Sequence, residues 1–240
     1  MKRVNKKKLI YGLIFLVIAI AAYFIGPRLY KNYGNAGGIT AATRLEVLNS
    51  VPEYSSNPYV MVNNNEPFFT EEEFTTESYE EYGDLDDLGR CTYAYACVGK
   101  DTMPKGERGS ISHIYPTGWE QKKYSFVDGR SLYNRCHLIG HQLTGENANK
   151  ENLITGTRYM NTEGMLPFEN MIADYVKETG NHVLYRVTPL FKGDNLVASG
   201  VLMEAKSVED NGDGICFNVY CYNVQPGVVI DYATGKNRKE

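Results

Sequence analysis

Asn134-Arg135-Cys136-His137-Leu138-Ile139-Gly140-His141-Gln142-Leu143 is the stretch on which the reading of this chain turns. It continues Ser131-Leu132-Tyr133, and Ser131 to Leu138 reads as a strand. Tyr124 to Val127 lies just upstream, across Asp128-Gly129, a strong turn dipeptide, so the pattern predicts a hairpin between the two runs. Residues i and i+2 of a strand share a face. Arg135 and His137 are therefore expected to point into one space, and Cys136 away from it. Downstream, Phe168, Met171, Ile172, Tyr175 and Val176 recur at helical spacing. Pro167 suits the first turn of that helix and Gly180 its end. Cys91 to Val98, bounded by Gly89 and Gly99, reads as a strand. His182 to Leu190, Leu196 to Val208 and Ile215 to Val224 read as three more. Strands, a helix and further strands predict an α+β fold with a mainly antiparallel sheet.

The 240 residues carry a net charge of −4, unevenly spread. Residues 1–31 hold seven Lys or Arg and no acid, while 66–87 hold ten acids and no base. Residues 88–240 balance at seventeen of each. This excludes a basic protein that coats duplexes, but not a local basic cleft. Lys2, Arg3, Lys6, Lys7 and Lys8 precede an uncharged apolar run from Leu9 to Ile25. At 1.5 Å per residue that run spans about 26 Å, enough to cross a bilayer core. The basic flank predicts a cytoplasmic tail over 1–8, a single-pass membrane helix over 9–25 and an extracellular remainder. Secretion after signal cleavage is the alternative. Residues 26–83, with Gly34, Gly37, Gly38, Pro52, Pro58 and the acidic stretch, are expected to be a linker, and 84–240 the folded domain.

The chemistry-bearing side chains are few. The histidines are His113, His137, His141 and His182, and the cysteines Cys91, Cys97, Cys136, Cys216 and Cys221. No cysteine pair has the C-x-x-C spacing of a zinc site. Export would permit a disulfide, Cys91 with Cys97 or either with Cys216 or Cys221, and buried free thiols remain the other reading. His137 and His141 are four apart, a spacing that could hold zinc on a helix. Cys136 beside His137 raises a thiol nucleophile, although strand neighbours face opposite ways.

Asn152 in Glu-Asn-Leu-Ile, Asn161 in Arg-Tyr-Met-Asn and Glu169 in Pro-Phe-Glu-Asn follow His137 in order. With them, the run from Asn134 to Asn161 and the later Gly-Met-Leu-Pro-Phe-Glu-Asn resemble the DNA/RNA non-specific endonucleases of the ββα-metal group. The wording is most similar to the DNA-uptake nucleases of Gram-positive bacteria. Leu85-Asp86-Asp87-Leu88-Gly89-Arg90 and Pro116-Thr117-Gly118-Trp119 fit the same group, and the resemblance covers about 84–235. It implies a ββα-metal motif within the α+β fold, and a nuclease domain over 84–240. The family's usual Asp-Arg-Gly-His reads Asn134-Arg135-Cys136-His137 here. The lost carboxylate removes a negative charge near a cation, and the cysteine needs a backbone that tolerates a Cβ.

The resemblance implies phosphodiester hydrolysis. His137 would be the general base, because an imidazole can be neutral and basic near pH 7. Asn161 would give one oxygen ligand to Mg²⁺, for which Mn²⁺ can substitute, with water and phosphate filling the other positions. Glu169 would orient metal-bound water. Asn152 would position a loop or a ligand water, or cap a turn. Arg135 would clamp a phosphate or pair with an acid, and Arg108 and Arg158 are further substrate-binding candidates. Lys122, Lys123, Arg130 and Lys150 could join Arg135 and Arg158 in a phosphate patch. Phosphate contacts carry little sequence information, so DNA, and RNA with it, should be cut with weak preference. A role in DNA uptake, with the uptake machinery as partner, follows from the resemblance. Two other readings compete. One is a catalytically inactive nucleic-acid-binding module on the same fold, and the other a zinc or thiol hydrolase built on His137, His141 and Cys136.

Overall fold

The computed structural model describes residues 38–240. The apolar run Leu9 to Ile25, its basic flank and the first part of the expected linker lie outside the described residues. Among the described residues no helix is long and apolar enough to cross a membrane.

The frame is a six-stranded sheet. Its strands are β1 (Tyr59–Met61), β2 (Tyr79–Tyr82), β3 (Ala94–Val98), β6 (Val183–Leu190), β7 (Gly200–Ser207) and β8 (Cys216–Tyr222), in the order β1-β8-β7-β6-β3-β2. Every neighbouring pair is antiparallel. Between β3 and β6 run β4 (Tyr133–His137) and β5 (Leu153–Thr157), which form a separate two-stranded ladder. The short β9 (Val228–Ile230) and β10 (Asn237–Lys239) pair near the end of the chain. The antiparallel α+β expectation holds.

Side-chain alternation along these strands explains why both faces of the sheet are dry. Ala94, Ala96 and Val98 of β3 point to one face with Val187, Met203 and Phe217. There they meet Phe168, Ile172 and Val176 of helix α3 (Leu166–Thr179), and Cys136 and Ile154 from the β4–β5 ladder. Tyr93, Tyr95, Cys97 and Leu184 point to the other face, against Phe69, Phe74 and Tyr79. Leu190, Leu202, Tyr220 and Tyr222 continue that face under Val47 of helix α1 (Ala41–Ser50). All five residues of β3 and all eight of β6 are buried. A sheet so apolar on both sides needs a cover on both sides.

That requirement corrects the linker expected up to residue 83. Residues 41–82 supply the second cover and both edges of the sheet. Tyr59 pairs with Cys221 and Tyr79 with Cys97. The acidic stretch is anchored by charge. Arg186 and Glu204 face each other across β6 and β7, with Nε 3.0 Å from Oε2, and both are buried. Glu204 Oε1 also accepts the Phe68 N–H at 2.7 Å, and Arg186 Nη1 reaches Glu73 Oε1 at 3.0 Å. The Phe69 ring lies 4.7 Å from the Arg186 guanidinium carbon.

The hairpin about Asp128-Gly129 is a second correction. Tyr124 to Val127 is not a strand. Its turn is closed by hydrogen bonds from the Tyr124 N–H to Arg130 O (2.8 Å) and from the Arg130 N–H to Val127 O (2.8 Å). Gly129 and Arg130 are both left-handed, at φ 65° and 62°, so the chain curls and the ladder stops at one bridge, Lys123 to Ser131. The true partner of β4 is β5, with His137 opposite Leu153 and Cys136 opposite Ile154. The expected helix is present as α3, with Pro167 in its first turn. Gly180 at φ 79° ends it, donating its N–H to Val176 O at 3.0 Å. All five cysteines are free, so none of the weighed disulfides forms.

Removing Glu204 takes one carboxylate partner from the buried Arg186 guanidinium and leaves the Phe68 N–H without this acceptor. Glu204→Ala should therefore cost about 3–5 kcal/mol of unfolding free energy, measured by urea titration followed by far-UV circular dichroism.

Candidate active site

β4 and β5 end beside a short helix, α2 (His141–Thr144), and the junction is held by one side chain. Asn152 is fully buried. Its Oδ1 accepts the Ile139 N–H at 2.9 Å and its Nδ2 donates to Ile139 O at 3.0 Å. The Leu138 N–H donates to Asn152 O at 2.9 Å just before this. The carboxamide thus carries the β4–β5 pairing one residue past its end. Asn152 does not line the cleft described below, and both ends of its carboxamide are engaged by Ile139. The next residue, Gly140, donates its N–H to Glu169 Oε1 on α3 at 2.9 Å. A Cβ at Gly140 would meet the Glu169 carboxyl at 2.7 Å, so only glycine lets the two approach.

A cleft of about 850 Å³ opens over this junction. His137, Asn161, Glu169, Arg108, Arg135 and Arg158 all line it. Six of the seven residues singled out from the sequence are brought together, and Asn152 stands behind them. Asn161 lies in a π-helical turn, Met160–Met165, that leads directly into α3. This is how two residues eight apart, Asn161 and Glu169, come to face one cleft despite Gly164 and Pro167 between them.

His137 is buried, and both ring nitrogens are engaged. Nε2 lies 2.8 Å from the Asn147 carbonyl oxygen, which can only accept. Nε2 therefore carries the proton, and Nδ1 presents its lone pair. Arg108 Nη2 lies 3.2 Å from Nδ1 and donates to it. Burial lowers the His137 pKa to about 4; the Asn147 carbonyl opposes the shift, and the Arg108 charge adds to it. The ring is thus neutral throughout the physiological range, with Nδ1 free of a proton. Asn147 was invisible in the sequence, because its contribution is a backbone carbonyl that any residue could supply.

Glu169 is buried too, and burial raises its carboxyl to about 7 against the pull of the Gly140 N–H and Arg108. A carboxyl held this way next to an amide oxygen fits a cation site that is completed by water. Among the described residues no group of three His, Cys, Asp or Glu is gathered to hold a metal. A single amide oxygen with a nearby carboxylate suits a cation that keeps most of its own water.

Cys136 is buried in ordinary strand geometry. Burial, then the Glu169 charge, pushes its thiol well above the usual range, which removes the thiolate nucleophile. Its Cβ packs over Gly156 of β5, where a side chain would collide with it at 2.6 Å. The cysteine in place of the family's glycine is thereby accommodated without backbone strain. Its Sγ donates to Asn161 Oδ1 at 2.9 Å, leaving the other oxygen lone pair.

The arginines differ from expectation. Arg135 neither pairs with an acid nor has its fork free. It donates from Nε to Ile114 O and from Nη2 to Ser112 O at 2.7 Å, and lies against two aromatic rings. Arg158 pairs with the exposed Asp128 at 2.7 Å, a surface contact of little net worth that a phosphate can displace. Lys122, Lys123, Arg130 and Lys150 do not line the cleft, and Lys122 is held by Asn237 O. The expected wide patch reduces to Arg108, Arg135 and Arg158.

A family model for DNA/RNA non-specific endonuclease matches residues 70–209. A deoxyribonuclease of Streptococcus dysgalactiae subsp. equisimilis is 28% identical over 209 residues, covering 69% of this chain and 62% of that protein. The chain thus spans less than two thirds of that relative's length. The crystal structure of NucA from Streptococcus agalactiae with magnesium bound superposes with a TM-score of 0.71 at 23% identity, over 83% of this chain and 96% of that one. The Sda1 nuclease with bound zinc superposes with a TM-score of 0.68 at 26% identity, over 77% and 97%. The chain belongs to the DNA/RNA non-specific endonuclease family. The matched segment begins at residue 70, inside the stretch expected to be linker.

Folding makes His137 harder to protonate, so the unfolded chain binds the extra proton between pH 6.5 and about 4. Its contribution to stability is present above that window and is lost as pH falls through it. Arg108→Ala removes a neighbouring positive charge and should raise the His137 pKa, read from imidazole NMR shifts against pH. Asn152→Ala leaves the Ile139 amide and carbonyl unpaired and should cost about 1–3 kcal/mol for each group stranded, measured by thermal unfolding.

Proposed function

We propose that this protein hydrolyses phosphodiester bonds of DNA, and of RNA, with little sequence preference, and that Mg²⁺ is the working ion, with Mn²⁺ able to replace it. The observation that carries this reading is the His137 ring. Its Nε2–H is tied to the Asn147 carbonyl and its Nδ1 lone pair is turned toward Arg108, in the same cleft as Asn161 and Glu169. Asn161 Oδ1 would hold the ion, and the Glu169 carboxylate would orient its water. The bound ion would neutralise charge on the phosphorane and acidify a water that protonates the leaving 3′-oxygen. His137 Nδ1 takes the proton of the attacking water. The Asn147 carbonyl keeps the ring in the tautomer that can do so, and steadies the imidazolium that forms. Arg108 is drawn to the incoming phosphate, which frees Nδ1 at the moment it is needed. Nothing in this constellation reads a base edge, which supports weak sequence preference.

We infer further that residues 9–25 anchor the chain in the cell membrane, with the nuclease domain outside, where DNA being taken up would meet it. The charge pattern of residues 1–25 supports this, and the orientation is tested by protease digestion of intact cells.

Plasmid cleavage by the full chain should stop in chelator and return with Mg²⁺ or Mn²⁺. His137→Ala should lower the rate by about 10²–10⁴. A folded protein that binds DNA without cutting it would replace this reading with the inactive binding module. In kcat/KM, His137 should contribute an acid limb well below pH 6.5, since its ring protonates near 4, and a limb near 7 belongs to the Glu169 carboxyl.

A further inference from the structure

We propose that Tyr115, stacked on Arg135 beside the cleft, is the platform for one nucleobase of the strand being cut, and that it biases the enzyme toward single-stranded substrate. The proposal rests on the nuclease reading above and adds to it a specificity determinant.

Tyr115 is 70% exposed, the most exposed of the large apolar side chains among the described residues. Large tyrosines elsewhere, Tyr133 and Tyr185 among them, are fully buried. Yet Tyr115 is not a loose surface ring. The Arg135 guanidinium carbon lies 5.0 Å from its centroid and 4.4 Å from that of Trp119, which lines the cleft. The same guanidinium donates to the carbonyls of Ser112 and Ile114, on the segment that carries Tyr115. One arginine therefore fastens that segment to β4 and supports the ring. Ordering an aromatic ring while leaving most of it in water gains little for the fold. It does leave a rigid flat surface in place for a flat partner.

Position identifies the partner. Arg135 and His137 are two residues apart on one strand face, about 7 Å along β4. A phosphate at His137 places a flanking nucleotide on the side where Tyr115 stands. Every base has a π-face, so stacking binds without choosing sequence. A base inside a duplex already has both faces covered by its neighbours. Only an unstacked base can use the platform, hence the expected bias toward single strands.

The test compares wild type, Tyr115→Ala and Tyr115→Phe on single-stranded and duplex oligonucleotides in Mg²⁺. Tyr115→Ala should lower kcat/KM on single strands by about 5- to 150-fold, with a smaller loss on duplex, and Tyr115→Phe should restore it. In a His137→Ala background, a 2-aminopurine base flanking the bound phosphate should be quenched with Tyr115 or Phe and not with Ala. An abasic site there should remove the difference between wild type and Tyr115→Ala. Metal-dependent cleavage in which Tyr115→Ala changes neither substrate, or both equally, overturns the platform and leaves the nuclease reading standing. Absence of metal-dependent cleavage in wild type overturns both.

Discussion

The site depends on a carboxamide that is buried behind the cleft. Asn152 gives Ile139 the donor and acceptor that a strand partner would have given it. An unpaired backbone amide and carbonyl at this buried point would each carry a desolvation cost. With both satisfied, the chain can leave β4 and enter the turn to α2 at a fixed angle. That angle delivers the Gly140 N–H to Glu169, and so ties the β4–β5 ladder to α3. The ladder presents His137, and the π-turn before α3 presents Asn161. Two separate elements are thereby held in one geometry by neutral hydrogen bonds in a dry interior.

His137 and Glu169 are displaced in opposite senses by the same cause. Burial pushes His137 down to about 4 and Glu169 up to about 7, each favouring its neutral form. Apart from Arg108, Arg135 and Arg158, the cleft is therefore short of charge. An anionic phosphate with its cation changes that field at once. On the proposed mechanism the phosphate would draw Arg108 from Nδ1, and the cation would favour the ionised form of Glu169. Substrate and ion would thus complete the electrostatics of a site whose protein part is arranged in advance.

Much of this was legible in the sequence, for identifiable reasons. The helix over 166–179 announced itself by period, by Pro167 and by Gly180. The strands 183–190, 200–207 and 216–222 are long and apolar, and His137, Asn161 and Glu169 lie at recognisable spacings. The misreadings have physical causes. Asp128-Gly129 does form a turn, but Arg130 is left-handed as well, and that second reversal ends the ladder. The partner of β4 comes instead from across a loop, which local pattern does not reveal. Residues 41–82 looked like a spacer because their acids, prolines and asparagines are unremarkable as a string. The run Cys-Thr-Tyr-Ala-Tyr-Ala-Cys-Val, apolar on both faces, already implied a cover on each side of β3. Asn147 had no signal at all, and the engagement of Arg135 with Ile114, Ser112, Tyr115 and Trp119 had none that spacing could show.

The pairing of β1 with β8 bears on the time course of folding. Tyr59 and Cys221 are opposite one another in the sheet although most of the domain lies between them in the chain. Contacts of such long sequence separation must overcome loop closure before they are rewarded, and they slow folding. The frame of the sheet can close only after residue 222 is available. A chain emerging from a ribosome, or threading through a narrow channel from its amino end, would remain unfinished until nearly all of it had passed. With five free thiols and no bridge to form, its completion then waits on topology and not on oxidation.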